Sequence, residues 1–158
     1  SPFRSPHAMR RLASRLSKLA SLSDAQRGDL LRAQIALLRA QFAVWTRPHG
    51  RLVGPERGPI APPDARARLA ARRLAAAVSV VARHGLFRPN CLVRSLALSR
   101  LLEREQVPGW HVRIGVRERT GHFEAHAWVE LGVEVLADSA EHVASFERLA
   151  DVRLVRAR

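Results

Sequence analysis

The hydrophobic pattern of this 158-residue chain changes its period once, close to Gly109. Before that glycine, apolar residues recur at the spacing of three and four positions that amphipathic α-helices show. After it, the segment WHVRIGVR (residues 110–117) alternates apolar and polar side chains as a β-strand does. Helices followed by strands, without alternation between them, are typical of an α+β domain with an antiparallel sheet. We therefore predict one α+β domain, in which N-terminal helices and a central cysteine-bearing helix pack on a small antiparallel sheet.

The first helix of this domain is marked by its capping residues. Ser23 precedes the helical pattern and Gln26 follows three positions later, which is the spacing of a capping box. The helix then extends to about Trp45. Its large apolar side chains form one stripe that we expect to face the core, and the stripe consists of Leu31, Ile35, Leu38, Phe42 and Trp45.

Two further helices complete the helical part, which we place over residues 23–106. Residues 46–63 are rich in proline and glycine, so they predict a long loop without a regular element. The second helix follows over residues 64–84. The third spans about residues 91–106 and is apolar around much of its circumference, which predicts burial on most sides.

The sheet part of the domain occupies residues 110–158. Glycines at the expected turns divide it into a short antiparallel meander. The expected elements are strands at 110–117, 123–131 and 133–137, a short helix near 141–149 and an edge strand at 152–155.

Residues 1–22 form a separate N-terminal amphipathic segment in this division. Its basic residues alternate with apolar ones over residues 8–20, so a short cationic helix there contacts either a membrane surface or its own domain. The sequence contains no apolar run of the ~18–20 residues that span a bilayer and no clear secretory signal. Together with a lone cysteine, these features favour the cytoplasm.

The net charge of +13 first directs attention to an anionic partner such as nucleic acid. The charge is uneven: residues 1–88 hold 17 basic and 4 acidic side chains, whereas residues 89–158 hold 10 of each. A basic protein that binds nucleic acid or a membrane surface is therefore the alternative hypothesis, although no recognised nucleic-acid motif is present. The same arginines also fit a solvated helix face or a docking surface for an acidic partner.

Cys91 is the first candidate for chemistry. It is the lone cysteine, which excludes an intrachain disulfide and a cysteine zinc cluster. Asn90 is a suitable N-cap, so Cys91 is expected at the first position of a buried helix, where backbone N–H groups and the helix dipole favour a thiolate. The alternative is a structural cysteine that packs in the core.

His126 and Asp138 supply the groups that a nucleophilic cysteine needs. His126 lies on the less apolar face of its predicted strand, which fits a general base beside a cysteine. If residues 131–133 form a three-residue hairpin loop, Glu130 pairs with Glu134 and His126 pairs with Asp138. A two-residue loop instead places Asp138 on the other face. Within the first register, Asp138 orients the imidazole and stabilises its protonated form.

Further side chains near these three are weaker candidates. Trp128 beside the histidine could line a substrate groove, and Arg94 and Ser95, one turn past the cysteine, could contact substrate; packing or helix-surface roles explain all three equally well. His122 and Glu124 resemble metal ligands on a strand, but nothing nearby completes a site. No glycine-rich phosphate loop is present. We therefore expect neither a metal nor a cofactor.

The segments PNCLVRSLALSRLLEREQVPG, VRIGV and FEAHAWVELG, followed by Asp138, resemble the lasso-peptide leader peptidases, which are transglutaminase-like cysteine proteases. The resemblance extends over about residues 28–140. It implies a transglutaminase- or papain-like fold without a cofactor, with Cys91 as nucleophile, His126 as base and Asp138 as acid. The implied activity is removal of the leader from a ribosomally made lasso precursor through an acyl-enzyme.

The same resemblance implies partners. The precursor peptide is the substrate, and an ATP-dependent macrolactam cyclase closes the core after the leader has been removed. Some relatives carry a fused leader-recognition domain, whereas this chain starts almost directly with the peptidase helices. We therefore expect the split form, which uses a separate leader-binding protein.

Overall fold

The structure of the protein is a computed structural model that describes residues 21–47, 53–55 and 61–154. The expected N-terminal amphipathic segment lies, apart from its last two residues, outside the described part. The described elements are, in chain order, α1 (Asp24–Thr46), β1 (Val53–Pro55), α2 (Ala65–His84), α3 (Cys91–Arg104), β2 (Trp110–Arg119), β3 (His122–Leu131), β4 (Glu134–Leu136), α4 (Ala140–Ala144) and β5 (Glu147–Leu154).

The predicted α+β architecture is confirmed, with two differences in the sheet. The strands are antiparallel and lie in the order β1-β5-β2-β3-β4. The predicted loop over residues 46–63 contains strand β1, in which Val53 pairs with Leu154. Because β1 covers one side of β5 and β2 the other, β5 is an interior strand and not the expected edge strand. The segments of β1 and β5 are far apart in the sequence, and a stretch rich in proline and glycine has no local hydrophobic pattern that would predict their pairing.

The helices begin where their capping residues predict. Ser23 accepts a hydrogen bond from the Gln26 backbone and the Gln26 side chain accepts one from the Ser23 backbone, so the capping box is confirmed. Asp64 caps α2 and Asn90 caps α3 in the same way, each through a side-chain oxygen. Each of these bonds satisfies a backbone N–H group that has no partner inside the helix.

The core lies between the helices and one face of the sheet. Helices α1, α2 and α3 pack on one another, and α3 also packs on β3 and β2. As predicted, α3 is buried on most of its circumference. Side chains that alternate along a strand point to opposite faces, so the second face carries a separate, smaller apolar cluster. That cluster consists of Trp128, Val143 and Phe146.

The apolar stripe of α1 does not face this core, which corrects the prediction from its spacing. All five of its side chains are exposed, Phe42 by 65% and Trp45 by 77%. The helix instead buries Ala33, Leu37 and Ala40, because small alanines let α1 approach α2 and α3 closely. Spacing alone identifies the large apolar side chains and does not reveal a contact face built mainly from alanine.

The β3–β4 hairpin has a two-residue loop, not the three-residue loop on which the expected pairing of His126 with Asp138 depends. Leu131 pairs with Glu134, and Glu130 pairs with Val135 and not with Glu134. Gly132 has a φ of 61°, which suits the first position of a tight two-residue hairpin turn. The register is therefore shifted by one residue from the expected one.

Within the described residues, none of the helices is both long enough and apolar enough to cross a lipid bilayer.

Candidate active site

Cys91 occupies the first position of α3, as the sequence predicts. The Asn90 side chain caps the helix by accepting a 2.9 Å hydrogen bond from the Val93 backbone. The Cys91 side chain is half-buried and makes no disulfide. Its sulfur therefore belongs to a helix end whose backbone N–H groups can stabilise a thiolate or an oxyanion.

His126 and Asp138 are in direct contact. His126 Nε2 lies 2.7 Å from Asp138 Oδ2, and both side chains are largely buried. The strand ladder does not produce this contact, since β4 ends at Leu136. Ala137 then adopts a φ of 58°, in the left-handed region that non-glycine residues rarely enter. This turn in the backbone brings Asp138 to His126 despite the shifted register.

Arg94 links the first turn of α3 to this pair. Its guanidinium donates a 2.9 Å hydrogen bond to the Ala137 carbonyl and lies 3.5 Å from Asp138 Oδ2. Arg94 is one turn after Cys91 on the same helix. The contact therefore ties the cysteine-bearing turn to the unusual backbone of Ala137 and to the carboxylate of Asp138.

The imidazole of His126 is enclosed by three rings. Trp128 and Phe146 stack with it at centroid distances of 6.0 and 5.0 Å, and His142 meets it edge-on at 4.8 Å. Aromatic packing of this kind restricts rotation of the imidazole. Asp138 contacts Nε2, so Nδ1 is the ring nitrogen that can exchange a proton with a reacting group.

Glu130 holds the tryptophan in this enclosure. Its carboxylate is 3% exposed and accepts three hydrogen bonds, from Trp128 Nε1 at 2.9 Å, Arg113 Nε at 3.0 Å and Arg148 Nη2 at 2.8 Å. Two guanidinium groups compensate the buried charge, which would otherwise be costly. Because Trp128 stacks with His126, the position of His126 also depends on this buried polar network.

Gly115 lies opposite His126 in the β2–β3 ladder. A Cβ atom at this position would lie 2.9 Å from Phe146 Cβ and 3.0 Å from Trp128 Cη2. The absence of a side chain therefore allows both rings to close around the histidine.

Arg117 and Glu124 lie beside this enclosure. The Arg117 guanidinium is 4.3 Å from the centre of the Phe146 ring and donates a 2.7 Å hydrogen bond to Glu124. That hydrogen bond lowers the pKa of Glu124 below its usual value. The side of the site is therefore charged at neutral pH although its centre is aromatic.

One set of side chains in the described residues could hold a metal ion. The ligand atoms of His126, Asp138 and His142 all lie within 4.8 Å of one another. Two imidazoles and a carboxylate are suitable zinc ligands. The guanidinium of Arg94, 3.5 Å from Asp138, opposes a cation there, and the same three groups fit proton transfer without a metal.

The structure shows where the weaker candidate site residues lie. Trp128 and Ser95 are 2% and 4% exposed, so both pack in the interior and are not accessible to a substrate. His122 and Glu124 lie towards the exposed start of β3, and neither belongs to the set of side chains that could hold a metal ion. Sequence reasoning missed the contributions of His142 and Phe146, which come from the segment after Asp138; their only signal was a histidine and an aromatic residue in a short amphipathic stretch.

Together these groups fit nucleophilic catalysis. A cysteine at a helix N-terminus can act as a nucleophile, and a histidine whose second nitrogen is held by a carboxylate can donate and accept a proton. In such an arrangement the carboxylate stabilises the imidazolium that forms when the histidine takes a proton.

Comparison with known proteins gives a family and one partial relative. A sequence-family model described as the transglutaminase-like superfamily matches residues 30–151. Over 62 residues the chain is 37% identical to the Microcin J25-processing protein McjB of Escherichia coli. That alignment covers 39% of this chain and 28% of McjB, so it spans less than a third of the relative's length. No solved structure shows significant similarity to the chain.

Proposed function

The chain belongs to the transglutaminase-like superfamily, and on that premise we propose that it is a cysteine peptidase with Cys91, His126 and Asp138 as its catalytic residues. The observation that carries the proposal is the 2.7 Å contact between His126 and Asp138, joined through Arg94 to the helical turn that bears Cys91. Arg94 ties this pair to the first turn of α3, and a histidine held by a carboxylate is the arrangement that serves a nucleophilic cysteine.

The proposed reaction uses these groups in two steps. The Cys91 thiolate attacks the scissile carbonyl, and backbone N–H groups at the start of α3 stabilise the oxyanion. His126 gives the proton on Nδ1 to the leaving amine, so the C–N bond breaks and a thioester to Cys91 remains. His126 then takes a proton from water, which attacks the thioester and releases the carboxylic acid and the thiolate. Asp138 keeps the imidazole oriented through both steps.

We propose that the substrate is the precursor of a lasso peptide and that the cut removes its leader. The partial similarity to a microcin-processing protein and the resemblance of the Cys91 and His126 segments to lasso-peptide leader peptidases support this substrate class. On the same grounds we propose that a separate leader-binding protein presents the precursor and that a macrolactam cyclase receives the core.

Leader removal can be measured directly. The protein is incubated with the precursor and the leader-binding protein of the same cluster, and the products are followed by mass spectrometry. We expect one cut between leader and core by the wild-type protein and none by Cys91→Ala. A matched control is Ser79→Ala in α2, outside the elements that carry the proposed catalytic groups. Undiminished cleavage by Cys91→Ala would overturn the proposal.

A further inference from the structure

Helix α1 presents an apolar face that has no partner in the described part of the protein. We call its five exposed residues the α1 stripe: Leu31, Ile35, Leu38, Phe42 and Trp45. The packed face of the same helix, centred on Ala33, Leu37 and Ala40, lies on the opposite side. Contiguous exposed apolar side chains of this size are unusual on a monomer and mark interaction surfaces.

A groove runs between the α1 stripe and the outer face of α3. Its volume is about 700 Å³, and Ile35 and Phe42 form part of its wall. The charged side chains of the groove are mainly basic: five arginines and one glutamate, Glu103, line it. Four of the arginines, two from α1 or its end and two from the last turns of α3, we call the groove arginines: Arg39, Arg47, Arg100 and Arg104.

These four arginines outnumber the acidic side chain that lines the groove with them, Glu103, which attracts Arg100 electrostatically. Arg32 at the other end of the groove is paired with Asp29 and Glu105. Burial lowers the pKa of Arg100 below its usual value, and the positive charge of Arg47 lowers it further. A partly buried guanidinium among other cations is stabilised by an anionic group that enters the groove.

The groove lies away from the candidate active site. Successive residues of an α-helix are rotated by about 100°, so Arg100, nine positions after Cys91, is on about the opposite side of α3. Arg94, on the Cys91 side, contacts Asp138 instead. A ligand in the groove would therefore not reach Cys91, and the scissile segment of a substrate does not account for it.

We propose that the α1 stripe and the four groove arginines form a docking surface for an acidic amphipathic helix of a separate protein. The apolar side chains of such a helix would pack on Phe42 and Ile35, and its carboxylates would pair with the arginines. An apolar face laid into a groove and flanked by complementary charges is a common mode of helix recognition.

Charge and shape favour this occupant over others. A second copy of the chain in a symmetric dimer would bring the same arginines against each other. Residues 1–20 of the chain contain five basic and no acidic side chains, so they have the wrong sign. A membrane is flat on this scale and does not enter a groove between two helices, and a nucleic acid would leave the α1 stripe uncovered.

Binding can be tested with a synthetic probe and the full chain. The probe is a fluorescent peptide of about 18 residues, long enough to form a helix, with leucines at positions i, i+3, i+4 and i+7 and glutamates on its other faces. A second peptide carries lysine in place of every glutamate. We expect the acidic peptide to bind the wild-type protein at least about tenfold more tightly than the basic one, with affinity that falls as salt is added.

Variants locate the binding site. Phe42→Ala and Arg39→Glu alter exposed side chains, so they should leave the fold intact. Each should lower the affinity for the acidic peptide by about tenfold. The matched controls are Phe123→Ala, which removes an exposed phenylalanine, and Arg66→Glu, which reverses the charge of an exposed arginine; neither residue belongs to the proposed docking surface. Each should change the affinity for the acidic peptide by less than about twofold. No binding, equal binding of both peptides or equal effects of the two pairs of variants would overturn the proposal.

Other occupants give different results in parallel measurements. Sedimentation would show a dimer of the wild-type chain that Phe42→Ala dissociates if a second copy covers the stripe. Co-sedimentation with phosphatidylserine vesicles that Phe42→Ala abolishes would indicate a membrane. Either result would contradict docking of an acidic helix. Because peptide binding does not need the peptidase reaction, Cys91→Ala should bind the probe as the wild-type protein does, so this test fails or succeeds separately from leader removal.

Discussion

His126 Nε2 and Asp138 Oδ2 lie 2.7 Å apart although neither residue is paired with the other in the strand ladder. The left-handed backbone of Ala137, held by a hydrogen bond from Arg94 to its carbonyl, brings the carboxylate into place. The contact therefore depends on a backbone turn and on a side chain of the cysteine-bearing helix. This dependence links the start of α3 to the histidine without a direct strand pairing.

Replacing Asp138 should impair turnover more than binding. Asp138→Ala removes the group that orients His126 and stabilises its protonated form, so we expect kcat for leader removal to fall about 10²- to 10⁴-fold. Asp138→Asn keeps an oxygen acceptor for Nε2 and should retain more activity than the alanine variant. Single-turnover kinetics at saturating precursor measure the effect. Equal losses in the two variants would argue against an orienting role.

Glu130 should be required for stability as well as activity. Glu130→Gln replaces one oxygen of the buried carboxylate with an amide nitrogen, which cannot accept a hydrogen bond. Because three donors face this carboxylate, at least one guanidinium loses its acceptor. We expect a loss of about 2–4 kcal/mol in the free energy of unfolding, measured by urea denaturation. Glu118→Gln, on an exposed position of β2, is the matched control and should change it by less than about 0.5 kcal/mol. A harmless Glu130→Gln would mean that the network does not support the site.

Gly115 should tolerate no side chain. Gly115→Ala places a methyl group within 3.0 Å of Phe146, Trp128 and a backbone oxygen, so we expect a loss of about 1–3 kcal/mol in the free energy of unfolding. Gly28→Ala is the matched control, because nothing lies within 4 Å of its Cβ and alanine favours the helix. It should stabilise the protein by about 0.5–1 kcal/mol. Thermal melts of both variants distinguish crowding at Gly115 from a general response to alanine.

The ion pair between Arg72 and Glu134 should make stability depend on pH. Two hydrogen bonds, of 2.7 and 3.0 Å, join α2 to the β3–β4 hairpin and lower the pKa of Glu134 in the folded state. A lowered folded-state pKa means that the contribution is present above the pKa of the unfolded chain and is lost as the pH falls through the folded value. Wild-type protein should therefore be more stable than Glu134→Gln at neutral pH, and the difference should vanish in acid. Melting temperatures at several pH values check this, and a difference that persists in acid would contradict it.

Local signals in the sequence predicted most elements but not how they meet. The side chains of Ser23, Asp64 and Asn90 satisfy backbone groups within a few residues of themselves, so helix starts can be read without knowledge of the fold. The placement of Cys91 follows from such a cap. The α+β order likewise follows from the change of period at Gly109.

Long-range contacts could not be read in the same way. Helix α1 buries the face on which alanines let it approach α2 and α3 closely. The large apolar residues that dominate its sequence pattern stay exposed. The hairpin register depends on the backbone of Gly132, and the position of Asp138 depends on Ala137. Neither dihedral angle is encoded in hydrophobic spacing, so the sequence paired the correct residues, His126 and Asp138, through an incorrect register.

The central claim is that Cys91 forms a covalent acyl-enzyme with the leader, and intact-mass spectrometry tests it most directly. The reaction of the wild-type protein, precursor and leader-binding protein is quenched with acid at early times, and Cys91→Ala is treated in parallel. We expect a transient species heavier than the protein by the leader acyl group, attached to the peptide that contains Cys91, and no cleavage by Cys91→Ala. Leader removal by Cys91→Ala at the wild-type rate would contradict the account.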